Sequence, residues 1–171
     1  INPEGIRTMK ILIFTEGTIL MHKNAAGLNR EEIVKQVENK EKSVHDYASY
    51  IPIGNAVAKT KSWQNQGTEI IYLTSSKSQK EIDEISEVLK QYNFPEGLLL
   101  NRKGNQEYKD IAEQIMPDIL VEDDCESIGG TNEMTYTHIR SDLKSKIKSV
   151  PIKEFGGIDY LPDSIKALKT L

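Results

Sequence analysis

Apolar residues in this chain gather in five short unbroken runs, each bounded by polar or turn-forming residues. A strand that is buried on one face alternates apolar and polar residues, so unbroken runs of this length indicate strands covered on both faces. The runs occupy residues 11–14, 70–73, 98–100, 119–121 and 150–152. The pattern therefore predicts a parallel sheet enclosed between two layers of helices.

Segments with helical spacing separate the runs. The predicted helices span residues 55–66, 82–92 after a Ser78 cap, and 108–115 before Pro117, and a further one carries Ile139, Leu143 and Ile147 on one face. Strand and helix in alternation are typical of right-handed βαβ units. The predicted fold class is α/β, a three-layer Rossmann-like parallel sheet with helices on both faces. Pro151 lacks a ladder donor, which predicts an edge position for the last strand.

The length of 171 residues favours one domain. Residues 1–8 precede Met9 and read as an N-terminal extension or cloning remnant, so we expect a single domain over residues 9–171. Residues 19–52 are longer than a simple strand-to-helix connection needs. They predict a small insertion that begins with a helix from Arg30 to Val37, capped by Asn29, and continues as a polar loop.

Composition excludes several classes of function. The net charge of -4 gives no reason to bind nucleic acid, and no apolar run is long enough to span a membrane. A lone cysteine, Cys125, and the absence of a secretory pattern lead us to expect a cytoplasmic protein. The three histidines and Cys125 lack the spacing of a zinc site.

Three loops with chemically active side chains follow predicted strands, at residues 15–18, 74–78 and 122–130. The carboxyl ends of parallel strands lie at the same edge of a sheet, where ligands bind in open α/β folds. These loops are therefore the candidates for a common site.

The first strand and its loop read Lys10-Ile11-Leu12-Ile13-Phe14-Thr15-Glu16-Gly17-Thr18-Ile19-Leu20. The segment resembles motif I of the haloacid dehalogenase-like (HAD) superfamily, in which an apolar strand ends in Asp-x-Asp-Gly-Thr and the first aspartate attacks phosphorus. On that pattern Phe14 takes the nucleophile position and Glu16 the second aspartate. The later loops follow the superfamily's order over most of residues 9–152, so the resemblance implies a HAD-like fold in a degenerate member without the nucleophile.

The resemblance also implies a phosphate site. Thr74 corresponds to the motif II hydroxyl, and the phosphate-binding candidates are Thr15, Gly17, Thr74 and Ser75. The motif III lysine, whose cation offsets phosphate charge, corresponds to Lys103 or Lys109, and both remain open.

Consecutive acids at residues 122–124 repel one another at the end of an apolar strand, which favours a nearby cation. The resemblance implies Mg²⁺, held by Glu16, Asp123 and Asp124. If strand alternation persists to this point, it places the side chain of Glu122 on the opposite face. The alternative is an acidic loop that caps the next helix through Asp124 or Ser127.

A phenyl ring at residue 14 can neither attack phosphorus nor ligate a metal. A shifted register would make Glu16 the nucleophile, but it breaks the match of Gly17 and Thr18. The leading hypothesis is an atypical phosphomonoester hydrolase that uses Mg²⁺-activated water, with Glu16 and Lys103 or Lys109 as catalytic candidates. The alternatives are a non-catalytic binding module for a phosphorylated small molecule or macromolecule, and a structural interaction domain.

Overall fold

The computed structural model describes residues 7–171, which contain strands and helices in regular alternation. The strands are β1 (Lys10–Phe14), β2 (Leu20–Met21), β3 (Ile51–Pro52), β4 (Glu69–Leu73), β5 (Leu99–Leu100), β6 (Ile119–Asp123) and β7 (Lys148–Ile152). The α-helices are α1 (Arg30–Glu38), α2 (Ala56–Asn65), α3 (Gln79–Gln91), α4 (Tyr108–Ile115), α5 (Thr135–His138), α6 (Ser141–Lys144) and α7 (Ile165–Lys169). Short 3₁₀ helices occupy Lys23–Ala25, Lys42–His45, Tyr47–Ser49, Glu126–Ile128 and Gly130–Glu133.

The central sheet has five parallel strands in the order β5-β4-β1-β6-β7. The sheet confirms the predicted α/β class and all five predicted strands. β7 lies at one edge, as Pro151 predicted, because an edge strand can lose a ladder donor on its open side.

Both faces of the sheet are covered by apolar side chains. Alternation along β1 directs Ile11 and Ile13 into one apolar layer, which contains Trp63, and directs Leu12 and Phe14 into the other. A strand covered on both faces has no solvent-facing position for polar residues. This arrangement explains why the apolar runs in the sequence are unbroken.

The helix predicted from Ile139, Leu143 and Ile147 is wrong as one continuous element. The structure has two four-residue helices there, α5 and α6, separated by extended backbone at Ile139 and Arg140. The backbone N–H of Arg140 donates to Glu113 Oε1 at 2.9 Å instead of continuing a helical ladder. The three apolar side chains nevertheless pack in the same apolar layer, so their spacing correctly predicted that they pack together.

The predicted helix caps at Asn29 and Ser78 are confirmed. Asn29 Oδ1 accepts a hydrogen bond from the N–H of Glu32 at 2.9 Å, and Ser78 Oγ accepts one from the N–H of Glu81 at 3.2 Å. Each bond satisfies one of the free donors in the first turn of a helix. Local sequence therefore sets where α1 and α3 begin.

The segment predicted as an insertion, residues 19–52, lies against the carboxyl edge of the sheet. β2 and β3 pair antiparallel at its base. Arg30, the first residue of α1, donates from Nε to the carbonyl of Glu154 at 2.8 Å and forms an ion pair with Glu126. The segment is thereby attached to the loops that follow β6 and β7.

The predicted N-terminal extension falls partly outside the described residues, which begin at Arg7. Arg7 forms an ion pair with the buried carboxylate of Asp118, which also accepts from the N–H of Lys10 at 2.8 Å. Asp118 immediately precedes β6, so Arg7 contacts the amino edge of the sheet, away from the three loops of interest.

Candidate functional site

A cavity of about 510 Å³ lies at the carboxyl edge of the sheet. Its lining comes from the loops that follow β1, β4, β5, β6 and β7, and from the insertion. The insertion contributes His22, Val37, Val44, Tyr47 and Tyr50 to the lining. The cavity volume is in the range of small-molecule sites.

The loop after β1 is a tight turn that places Gly17 beside Asp123. The N–H groups of Thr18, Ile19 and Leu20 converge on the carbonyl of Thr15 at 3.3, 3.0 and 2.9 Å. Gly17 has a φ of 82°, and a Cβ there would lie 3.0 Å from Asp123 Oδ2. Both the left-handed backbone and the close carboxylate require glycine.

The carboxylate of Glu16 accepts hydrogen bonds from three of the predicted phosphate-binding residues. The hydroxyls of Thr15 and Thr74 each donate to one of its oxygens, and the N–H of Ser75 donates at 3.3 Å. The N–H of Gly17 donates to the carbonyl of Leu20 at 2.8 Å and so does not face a ligand. Burial raises the pKa of Glu16, although these hydrogen bonds oppose the shift.

Phe14 lines the same cavity and packs edge-to-face against Tyr108, with ring centroids 5.0 Å apart. The side chain is 9% exposed and belongs to one of the two apolar layers. The position that the resemblance assigns to a nucleophile therefore holds a packed aromatic ring.

Two cations line the cavity, and one of them was missed by sequence reasoning. Arg102 follows β5, lies over the ring of Tyr108 with its Cζ 4.1 Å from the centroid, and donates from Nη2 to the carbonyl of Ser75 at 3.2 Å. Its Nε is buried and has no hydrogen-bond partner among the described residues. Of the two predicted lysines, Lys109 lines the cavity, whereas Lys103 is exposed and does not.

Three buried carboxyl groups form an acidic wall, defined as Glu122, Asp123 and Glu154. Glu122 accepts from the N–H groups of Thr135 and Tyr136 at 2.7 and 3.0 Å, which fixes the start of α5. Glu122 lines the same cavity as Asp123, and the direction predicted for its side chain from strand alternation stays a prediction.

The other two members of the acidic wall also have protein partners. Asp123 accepts from Thr18 Oγ1 at 3.0 Å and from the N–H of Cys125 at 2.9 Å. Glu154 accepts from both the N–H and the hydroxyl of Ser127 at 2.8 Å.

Burial is the main cause that raises the pKa of each carboxyl group in the acidic wall. It raises the pKa of Glu122 to about 7, with a further contribution from the charge of Asp123. It raises the pKa of Glu154 to about 7, with contributions from Asp123 and Asp124, while the bonds from Ser127 oppose the shift. Near neutral pH the wall therefore carries less negative charge than its composition suggests.

The residues predicted to bind Mg²⁺ do not form a ligand set. Glu16 and Asp123 are engaged as described above, and Asp124 Oδ1 accepts from the N–H groups of Glu154 and Glu126 at 3.1 and 3.4 Å. Within residues 7–171 no group of three or more His, Cys, Asp or Glu side chains is arranged to hold a metal ion. As placed, these side chains do not fit the ion, and the Mg²⁺ site stays a prediction.

Cys125 is partly buried and has left-handed backbone with a φ of 54°. Burial raises the pKa of its thiol, and the neighbouring carboxylates of Asp123 and Glu122 add to the shift. A thiol held protonated is a poor nucleophile. Burial and the neighbouring acids thus disfavour the thiolate form of Cys125.

None of the helices in residues 7–171 combines the length and the apolar character that crossing a membrane requires.

Comparison with solved structures finds likenesses at low sequence identity. A class C acid phosphatase from Bacillus anthracis with tungstate bound has a TM-score of 0.54 and 14% identity, over 98% of this chain and 78% of that chain. A chain in the Pnkp1/Rnl/Hen1 RNA repair complex has a TM-score of 0.51 and 14% identity, over 85% of this chain and 43% of that chain. The present chain thus matches less than half the length of that neighbour.

A HAD family hydrolase from Deinococcus radiodurans R1 with bound phosphate and sodium has a TM-score of 0.48 and 8% identity, over 84% of this chain and 80% of that chain. No protein-family model matches the sequence, and no curated protein matches it. The likeness is one of fold: the chain shares the predicted α/β fold, a parallel sheet with helices on both faces, with the acid phosphatase.

Proposed function

We propose that this chain, which shares its fold with phosphatases, binds a small molecule carrying one phosphate group and does not form a phospho-enzyme. The observation that carries the proposal is the packing of Phe14 against Tyr108 in a cavity that also contains Arg102 and Lys109. The site combines the means to hold an anion with an inert side chain at the nucleophile position.

The absence of a covalent step follows from the chemistry of residue 14. A phospho-enzyme needs an oxygen, sulfur or nitrogen nucleophile aligned with phosphorus, and a phenyl ring has none. Glu16, the nearest carboxylate along the chain, is held by Thr15 and Thr74 and has a raised pKa. A carboxyl group held in this way is a weak nucleophile.

Arg102 is the best-placed group to bind the phosphate. Its planar guanidinium is held by Tyr108 and by the carbonyl of Ser75, while its buried Nε lacks a partner among the described residues. A buried donor without a partner costs about 1–3 kcal/mol, and a phosphate oxygen would satisfy it. Lys109 supplies a second positive charge in the same cavity.

The acidic wall limits the charge of the ligand. Glu122 and Glu154 are partly ionised near neutral pH, since burial raises the pKa of each to about 7. They would repel a polyphosphate, whereas hydroxyl or amino groups of a ligand could donate to their oxygens. A cavity of about 510 Å³ suits a small molecule better than a segment of a macromolecule.

Phosphomonoester hydrolysis without a covalent step is the second candidate function. It is favoured by one observation, the position of the Glu16 carboxyl group in the cavity lining two residues beyond Phe14, where it could act as a general acid or base. This candidate also requires a source of activated water, and the side chains of residues 7–171, as placed, do not fit Mg²⁺ in that role.

Thermal unfolding in the presence of monophosphorylated compounds tests the proposal. The panel consists of phosphoserine, glucose 6-phosphate, adenosine monophosphate and inorganic phosphate, each with and without Mg²⁺, and phosphate release is measured in parallel. A ligand at a hundred times its Kd raises the free energy of unfolding by about 2.7 kcal/mol. We expect stabilisation by at least one organic compound without release of phosphate.

Two results would contradict this expectation. Mg²⁺-dependent release of phosphate would favour the hydrolase. No stabilisation by any member of the panel would favour the third hypothesis, a structural domain.

A further inference from the structure

Three hydrogen-bond donors point to the carboxylate of Glu16, which lines the cavity. The hydroxyls of Thr15 and Thr74 and the N–H of Ser75 all donate to Glu16. Both hydroxyl-bearing side chains are fully buried, and they belong to the residues that directly follow two different strands, β1 and β4. We call these three donors the oxyanion cradle.

The oxyanion cradle has the composition of a site for a phosphate or similar anion. Hydroxyl and backbone N–H donors that converge on one point bind carboxylate and phosphate oxygens alike. Two of the three donors have few other partners. Thr15 Oγ1 has one further contact, to the carbonyl of Leu73 at 3.4 Å, and Thr74 Oγ1 otherwise accepts from the N–H of Ser76 at 3.2 Å.

We propose that the carboxylate of Glu16 is a built-in occupant of the oxyanion cradle and excludes external oxyanions from it. Glu16 thereby determines where a ligand's phosphate binds, and directs it to Arg102. The inference rests on the proposed function only for that last step. The occupation of the cradle itself is independent of which ligand the cavity holds.

Local geometry explains why Glu16 reaches the cradle. Glu16 is two residues beyond Phe14, and the turn held by the carbonyl of Thr15 keeps it at the carboxyl edge next to β4. Its side chain spans to Thr74 on the neighbouring strand, and its own neighbour Thr15 closes the opposite side. An external anion would have to displace a group that is already attached to the chain, which gives Glu16 a large advantage in effective concentration.

Two substitutions of Glu16 test whether the side chain excludes oxyanions by filling the oxyanion cradle or by its negative charge. Glu16→Ala empties the cradle, whereas Glu16→Gln removes the charge but leaves an amide that can accept from one threonine and donate to the other. We expect Glu16→Ala to bind inorganic phosphate and tungstate at least about tenfold more tightly than the unsubstituted protein, since one charge-assisted hydrogen bond is worth that factor. Glu16→Gln should gain much less.

Two controls distinguish the cradle from other causes. Glu133→Ala removes an exposed acid from the same cavity without touching the cradle, so an equal gain there would overturn the proposal in favour of a general charge effect. Adding Thr74→Val to Glu16→Ala removes one donor and should cancel most of the gain. Retention of the full gain would overturn the proposal.

The same titrations in an Arg102→Ala background separate this inference from the proposed function. A gain from Glu16→Ala that persists without Arg102 supports the oxyanion cradle, whatever the outcome of the ligand panel. A gain that disappears shows that the anion binds at Arg102 in both proteins and overturns the cradle. Circular dichroism of each variant verifies that the fold is retained.

Discussion

The ring of Phe14 meets the ring of Tyr108 edge-to-face, with the centroids 5.0 Å apart, and the guanidinium of Arg102 lies on Tyr108. Each contact is of a kind worth roughly 0.5–1.5 kcal/mol. The residue at the nucleophile position is thus part of the packing that holds the proposed phosphate-binding arginine.

Restoring an aspartate at this position should not restore a phosphatase. Phe14→Asp places a carboxylate in an apolar layer, and we expect it to lower the free energy of unfolding by about 3 kcal/mol or more without detectable phosphate release. Urea unfolding and release of phosphate from p-nitrophenyl phosphate measure the two effects. Phe14→Leu, which keeps an apolar side chain, should lose less than about 1.5 kcal/mol. Mg²⁺-dependent turnover by Phe14→Asp would contradict the prediction.

The two lysines left open by the sequence should differ in their effect on binding. Lys109 lines the cavity and Lys103 does not. We expect Lys109→Met to weaken binding of the stabilising phosphate compound at least about fivefold, because it loses a charge-assisted contact, and Lys103→Met to leave it unchanged. Isothermal titration calorimetry at fixed ionic strength measures both. Equal losses of affinity in the two variants would indicate that the overall positive charge, and not a contact made by Lys109, governs binding.

Stability should fall as pH rises through the range in which Glu154 titrates. Its pKa is 4.5 in a model peptide and about 7 in the folded protein. Between these values the folded protein keeps a proton that the unfolded chain has released, so its contribution to stability is complete at low pH and is lost as pH rises. The full shift corresponds to roughly 3 kcal/mol.

The variant Glu154→Gln tests this contribution. Its amide can accept from the N–H of Ser127 and donate to the hydroxyl, so both contacts survive without a titrating group. We expect the free energy of unfolding of Glu154→Gln to change less between about pH 5 and about pH 8 than that of the unsubstituted protein. Identical pH profiles would show that burial of Glu154 does not perturb its titration.

The corresponding change at Glu122 should be more damaging. Both oxygens of Glu122 accept from backbone N–H groups, those of Thr135 and Tyr136. A glutamine would place its NH₂ group against one of these N–H groups, so that neither has an acceptor. An unsatisfied buried group costs about 1–3 kcal/mol. We expect Glu122→Gln to lower the free energy of unfolding at about pH 8 by that amount and Glu154→Gln by much less. Urea unfolding at this pH compares them.

Gly17 should tolerate alanine less well than another glycine of similar conformation. Gly17 and Gly67 have φ values of 82° and 87°. A Cβ added at Gly17 would lie 3.0 Å from Asp123 Oδ2, whereas a Cβ added at Gly67 would have no other atom within 4 Å. Both variants bear the roughly 1–2 kcal/mol of a left-handed alanine. We expect Gly17→Ala to lose about 1 kcal/mol more, since crowding displaces the carboxylate from Thr18. Equal losses in urea unfolding would show that Asp123 moves freely.

The sheet could be predicted from the sequence because its central strands β1, β4 and β6 contain buried apolar runs and each edge strand carries a short apolar run of its own. The helix over Ile139, Leu143 and Ile147 could not, because its apolar spacing persists across a break caused by distant carboxylates. Glu122 anchors the first turn and Glu113 accepts from the N–H of Arg140. Neither acid lies within the segment that the periodicity describes.

The candidate site was only partly predictable for a similar reason. The loops with Glu16, Thr74 and Asp123 follow strong strand signals, and the common edge of parallel strands brings them together. Arg102 follows a strand of two residues and looks like any surface arginine. Glu154 follows the last strand by two residues, so the edge rule could have identified it, but nothing in its local sequence indicates burial.

The strand order has a consequence for how the cavity is assembled. β1 lies at the centre of the sheet and β7 at its edge, so a ligand that contacts Glu16 and Glu154 bridges two loops that are far apart in the sequence. Binding requires both loops in place, so ligand binding and local opening of the edge strand β7 should oppose each other.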